Sequence, residues 1–154
     1  MGYTGVNMTL KQHVDHWISS SDQSLLDMSA ALKSGRRMNA MYCGHLAIEK
    51  IFKALLASRD TRIEWTHNLV KLAQLCNMTL SPEHLDELNA INRFNIAARY
   101  ASAKSQVYAL CTKQYTAEWA AIIRKWRKRL KEQVLLERAA LPNNKAASYP
   151  ETKF

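Results

Sequence analysis

RMNAMYCGHLAIEKIFKALLAS, residues 37–58, is the stretch on which the fold turns. Met38, Met41, His45, Ile48, Phe52 and Leu55 recur at spacings of three and four, so one helical side collects them all. A strand would need strict alternation, and none is present. Gly44 weakens this helix locally and leaves room for a neighbouring helix to come close. Ser34-Gly35 supplies a stop and a short turn ahead of the segment, and the polar loop SRDTRIEW, residues 58–65, follows it.

Working outward, the same period continues in both directions. Thr9 is placed to cap a first helix running to about Lys33, with Val14, Trp17, Ile18, Leu25, Met28 and Leu32 on one side. Thr66 is expected to cap a short helix over HNLVKLAQLC, residues 67–76. Ser81-Pro82-Glu83 is a strong helix start: a cap, proline in the first turn, then an acid at the positive end of the dipole. This fourth helix should reach about Arg99. Residues 101–115 have no clear period, so loop and short helix both fit. Thr116 then opens a last helix with Trp119, Ile122, Ile123, Trp126 and Leu130 in register. The segment from Leu141 reads as a tail unable to support a packed element. The expected fold is all-α, an antiparallel bundle of four or five helices without a sheet. Its expected organisation is a flexible N-terminus over residues 1–8, a helical domain over 9–138 and a flexible tail over 139–154.

Composition agrees with one globular domain: 154 residues, 47% hydrophobic and 23% charged. Twenty-two basic residues against 13 acidic ones leave a formal charge of +9, which favours an anionic partner such as RNA, a nucleotide phosphate or an acidic protein surface. No apolar run approaches the ~20 residues of a membrane span. The first ten residues show neither the apolar core nor the cleavage pattern of a signal peptide. Cys43, Cys76 and Cys111 are odd in number, far apart and without a CxxC, as expected of buried thiols in a reducing, cytoplasmic setting.

Three local patterns then fall into one order. Ala47-Ile48-Glu49-Lys50 followed by Lys53-Ala54-Leu55-Leu56 resembles the AEKxxKALL signature on the second helix of the HEPN family. Thr66-His67-Asn68-Leu69 resembles the THxL step that opens the third. Arg99-Tyr100 resembles the RY(P) ending of the fourth, with alanine where the family often has proline. The resemblance spans roughly residues 10–135. It implies a helical bundle, usually a homodimer, often encoded beside or fused to a small nucleotidyltransferase whose nucleotide or substrate it is thought to bind. It also implies a rival, since other members are metal-independent ribonucleases of toxin type. Those act through an arginine and a histidine four to six residues apart near the fourth helix. Neither Arg93 nor Arg99 has such a histidine. Arg62 and His67 do read R-x4-H, but on the loop entering the third helix, where His67 already belongs to the THxL step.

On the fourth helix Leu85, Leu88, Asn92, Asn95 and Arg99 continue one stripe, so amides and a guanidinium follow leucines on one face. Unpaired polar groups are costly inside a protein, and such a face should end at a cleft, a subunit interface or a ligand. Asn92, Arg93, Asn95, Arg99 and Tyr100 are therefore the candidate nucleotide-binding residues, with Lys50 and Lys53 beside them. Glu49 and Lys53, four apart, also fit an ordinary surface pair contributing about 0.3–0.5 kcal/mol. His45 lies on the apolar stripe and reads as a core histidine. His13, His16, His45 and His84 have no metal-ligand spacing, so no metal or other cofactor is expected. RKWRKRLK, residues 124–131, suits phosphate contact and plain solvation equally, and Trp126 within it belongs to the buried stripe. The expected function is a non-catalytic module that binds a nucleotide or RNA and works with a separate nucleotidyltransferase. The alternatives are the endonuclease, acting through Arg62 and His67 or through an unrecognised constellation, and a dimeric scaffold.

Overall fold

The computed structural model of the chain describes residues 8–151. Among them stand six helices: α1 (Leu10–Lys33), α2 (Arg37–Ser58), α3 (Leu69–Leu75), α4 (Pro82–Arg99), α5 (Ala101–Leu110) and α6 (Lys113–Ala139). The fold is all-α; a lone antiparallel bridge between Thr9 and Ala146 is its one β feature among the described residues. Among the described residues no helix is long and apolar enough to cross a membrane.

Most helix ends follow local chemistry. Thr9 and Gln12 form a reciprocal capping box at the start of α1. Gly35, at φ +76, takes the left-handed turn into α2, with Arg36 N–H donating to the Ala31 carbonyl at 2.9 Å. Ser81 caps α4 by accepting from the His84 N–H at 3.1 Å. Two expected starts are displaced. Asn68 rather than Thr66 caps α3, accepting from the N–H groups of Val70 and Lys71, while Thr66 accepts from Asn68 N–H. Thr112 rather than Thr116 caps α6, because Thr116 turns its hydroxyl back onto the Thr112 carbonyl at 2.9 Å. The blurred stretch contains the extra helix α5, which packs against α4 and buries only Val107 along its length. With so little buried on it, no apolar stripe marked it.

Helix α2 is the axis of the molecule, packed by α1, α6, α4 and α3. Gly44 makes this possible: a Cβ there would lie 2.6 Å from Ile123 Cδ1 of α6 and 3.0 Å from Met28 Sδ of α1. The stripe expected on one side is instead burial all round. From Ala47 to Ser58, every residue except Lys50 is buried.

Of the tail expected over residues 139–154, residues 152–154 lie outside the described residues, and the part before them is tied to the bundle. Leu10 N–H donates to the Lys145 carbonyl at 2.8 Å, and Ala147 N–H to the Met8 carbonyl at 3.0 Å. The Asp60 carboxylate accepts from Ser148 N–H at 2.9 Å and from its hydroxyl at 2.6 Å. Backbone pairing can hold a polar segment that has no apolar pattern to reveal it. The flexible N-terminus expected over residues 1–8 lies, apart from Met8, outside the described residues.

Candidate functional site

The site begins inside α2. His45, Glu49 and Lys53 are spaced by four, so they stack on one face of a helix that has almost no face toward water. Glu49 and Lys53 are each 1% exposed, and Lys53 Nζ donates to Glu49 Oε2 at 2.8 Å. The ammonium also sits 5.6 Å from the centre of the Trp17 ring. The pair is therefore buried, not the surface pair expected. Burial pushes the Glu49 carboxyl up, but the Lys53 charge and hydrogen bonds from Lys53 and His67 outweigh it and hold the group below its ordinary value.

The other oxygen of Glu49 reaches the loop that enters α3. His67 Nδ1 lies 2.9 Å from Glu49 Oε1. His45 holds the same residue by its backbone, donating from Nε2 to the His67 carbonyl at 2.9 Å. Burial drives the His45 pKa down from 6.5 to about 4, and the nearby Glu49 charge, 3.8 Å away, does not restore it. His45 is thus a neutral core histidine that fixes a backbone. Helix α4 adds a third clamp: Asn92 accepts from Leu69 N–H at 2.9 Å and donates to the Asn68 side chain at 3.1 Å.

Between this loop and α4 lies a cleft of about 380 Å³, lined by Trp65, Thr66, His67, Asn68, Asn92, Asn95, Ile96 and Arg99. Trp65 is 62% exposed at its edge. Asn95 is 3% exposed, and its amide oxygen has no hydrogen-bond partner among the described residues. Arg99, in the last turn of α4, lies over the exposed ring of Tyr100 at 5.4 Å.

Of the candidate residues, Asn92, Asn95 and Arg99 share this cleft with His67. Others are elsewhere. Arg93 is exposed and turned toward Tyr115, and Tyr100 flanks Arg99 without lining the cleft. Lys50 points back to α1, donating to the Ser24 hydroxyl at 2.9 Å, and Lys53 is committed to Glu49. Both lysines left the expected set because α2 offers them a helix interface rather than solvent. Arg62 is exposed and does not line the cleft with His67. Trp65 and Glu49 were not among the candidates. A tryptophan closing a polar loop beside Thr66-His67 was a signal for the first; nothing in a helical i,i+4 pair distinguishes the second from surface.

The basic run on α6 is divided. Arg127 is buried and donates to the Ser21 hydroxyl at 2.8 Å and to the Asp22 carboxylate. Arg124 bonds Ser29, and Lys131 pairs with Asp22 at 3.4 Å. Lys125, Lys128 and Arg129 are exposed, Arg129 lying over Trp126 at 5.6 Å. All three cysteines are free and buried, and burial pushes the Cys76 thiol up to about 12.

No curated protein and no solved structure matches the chain. A family model described as HEPN domain does match, over residues 14–133, from near the start of α1 through most of α6. With that match covering most of its length, and a helical bundle that carries the three motifs in order, the chain belongs to the HEPN domain family.

Proposed function

We propose that the cleft between the α3 entry loop and α4 binds a nucleotide, free or as a unit of RNA. In this reading the protein is a non-catalytic binding module that works with a separate minimal nucleotidyltransferase. Membership of the HEPN domain family supports a nucleotide- or RNA-related function in general terms. The observation that carries the finer reading is Asn95, a buried amide that lines the cleft with its oxygen unpaired. Leaving such a group unsatisfied costs about 1–3 kcal/mol, which a hydrogen-bonding ligand offsets. Arg99 supplies a fork suited to phosphate, and the exposed Trp65 ring a face on which a base can stack. The formal charge of +9 draws anions toward the surface.

Calorimetric titration of wild type and Arg99→Ala with nucleoside monophosphates tests this reading. The substitution should weaken binding by about 1.5–3 kcal/mol, the range for hydrogen bonds to a charged group, and leave the melting temperature unchanged. Intact affinity with a lowered melting temperature would make Arg99 architectural. Co-purification with a minimal nucleotidyltransferase encoded next to this chain tests the partner. A homodimer belongs to the same reading: Ile96 on α4, Tyr100 between the helices, and Tyr108 and Leu110 on α5 expose apolar surface that symmetric pairing would cover. A monomeric mass by light scattering at high micromolar concentration would reject it.

One observation favours a second reading, a metal-independent endonuclease. His67, backed by the Glu49 carboxylate, lines the same cleft as Arg99, so an imidazole and a guanidinium are available to one bound phosphodiester. Robust RNA cleavage in the presence of chelator, abolished by His67→Ala, would replace the binding module with this enzyme.

A further inference from the structure

Building on the nucleotide reading of the cleft, we infer that His67, oriented by Glu49, reads the sugar. Its Nε2 accepts a hydrogen bond from a ribose 2′-hydroxyl, and the cleft thereby selects ribonucleotides over deoxyribonucleotides.

The argument starts from the buried carboxylate. An ionised carboxylate only accepts hydrogen bonds. Glu49 is held in that state by Lys53 Nζ, 2.8 Å from Oε2, so the proton on the 2.9 Å contact between Oε1 and His67 Nδ1 belongs to the histidine. The opposite tautomer would press a nitrogen lone pair against a carboxylate inside the protein. A neutral His67 therefore carries its proton on Nδ1 and leaves Nε2 bare.

The ring is also held in place. His45 Nε2 fixes the His67 carbonyl at 2.9 Å. The next residue, Asn68, caps α3 and is bonded by Asn92 at 3.1 Å. A histidine clamped at its carbonyl, its Nδ1 and its neighbour presents its remaining nitrogen without conformational search.

The other groups in the cleft define what that nitrogen lacks. Arg99 only donates. Asn68 and Asn92 bond each other and the start of α3, and Thr66 accepts from Asn68 N–H. Asn95 has an unpaired amide oxygen to offer a base. In that tautomer His67 Nε2 is an acceptor, and no donor among the described residues is bonded to it, in a cleft where Arg99 attracts phosphate. A phosphate dianion cannot supply a proton to it. The sugar can: the 2′-hydroxyl is a donor as well as an acceptor, and it is the group that separates RNA from DNA. Within a chain the 3′ oxygen is esterified, so the 2′-hydroxyl is the donor that remains on the sugar.

The test uses the full chain and nucleoside 3′,5′-bisphosphates, which have no internucleotide bond to cleave and no 3′-hydroxyl to stand in for the 2′ group. Affinities are measured at one fixed, mildly alkaline pH for every ligand and variant. Ribonucleoside bisphosphates should bind roughly five- to tenfold more tightly than their 2′-deoxy counterparts, the scale of one hydrogen bond. The 2′-fluoro analogues, which accept but do not donate, should bind as weakly as the deoxy ones. His67→Ala should bring the ratio to about one, whereas Arg99→Ala should weaken both sugars alike. Equal binding of ribose and deoxyribose by wild type would overturn the inference and leave nucleotide binding standing. So would 2′-fluoro analogues that bind as well as ribose, which needs no mutant to fold. Selectivity that survives His67→Ala would also reject it. No binding of any bisphosphate would remove the nucleotide reading and this inference together.

Discussion

Two charged stretches of this chain look alike in sequence and have opposite fates. Glu49 and Lys53 on α2 form the spacing of a routine surface pair, yet both are 1% exposed. The run 124–131 on α6 suits phosphate contact and plain solvation equally in sequence, and four of its six basic residues are exposed without an ion-pair partner among the described residues. The cause is position in the bundle. Helix α2 is packed by four other helices, so Glu49 and Lys53 in its buried half turn onto one another. Helix α6 is packed on one side only, and its charges divide by side: Arg127 inward onto Ser21 and Asp22, Lys125 and Lys128 outward. Spacing says which residues can meet; the number of neighbours says what dielectric they meet in.

The sharpest way to break the comparison is Glu49→Ala. If the α2 pair is buried, Lys53 is left as an uncompensated charge and stability should fall by about 3–5 kcal/mol in urea denaturation. The double change Glu49→Leu with Lys53→Met should recover most of that loss, since a buried pair is often replaceable by apolar volume. A loss under about 1 kcal/mol for the single change would return the pair to the surface class.

Acid should strike the α2 cluster next. The folded pKa of His45, about 4, lies below its ordinary 6.5, so the unfolded chain takes up the proton first. Stability contributed by neutral His45 is complete above about pH 6.5 and drains away as pH falls toward about 4, by on the order of 3 kcal/mol. Glu49, also held below its ordinary value, adds a further loss only as pH falls through its own lowered range. Urea midpoints that stay level between neutral pH and about pH 4 would contradict the neutral, buried state assigned to His45.

The smallest effects belong to α6 and sharpen the division along it. Arg127→Ala should cost about 1.5–3 kcal/mol, because Ser21 and Asp22 lose a charged partner in a buried place. Lys128→Ala should change stability by less than about 0.5 kcal/mol. Similar losses from the two changes would erase the distinction between the inward and outward basic residues.

Much of the fold was legible because its signals are local. The Thr9 capping box, the Ser34-Gly35 turn and the Ser81-Pro82-Glu83 start are each decided within four residues, and α1, α2 and α4 have the bounds those signals imply. Residues 101–115 were not legible for the complementary reason. Helix α5 buries one residue, so hydrophobic period had nothing to register. The strap from Lys145 to Ser148 escaped because it is held by backbone bonds and by Asp60, which are not written as an apolar pattern.

The candidate site divides in the same way. The stripe Asn92–Asn95–Arg99 follows from helical spacing alone, since residues three and four apart must share a face. That Asn95 stays unpaired, that Asn92 is spent on the start of α3, and that His67 and Trp65 stand opposite them in the lining are tertiary facts. Each depends on where α2 and α4 bring segments more than twenty residues apart in sequence. Sequence by itself determined that this chain is an all-α member of the HEPN domain family with a polar patch on its fourth helix, because periodicity, caps and motifs are short-range. Only the tertiary structure decided which charges are buried, which histidine is neutral and which groups line one cleft, because solvation and long-range contacts exist only once the helices have packed.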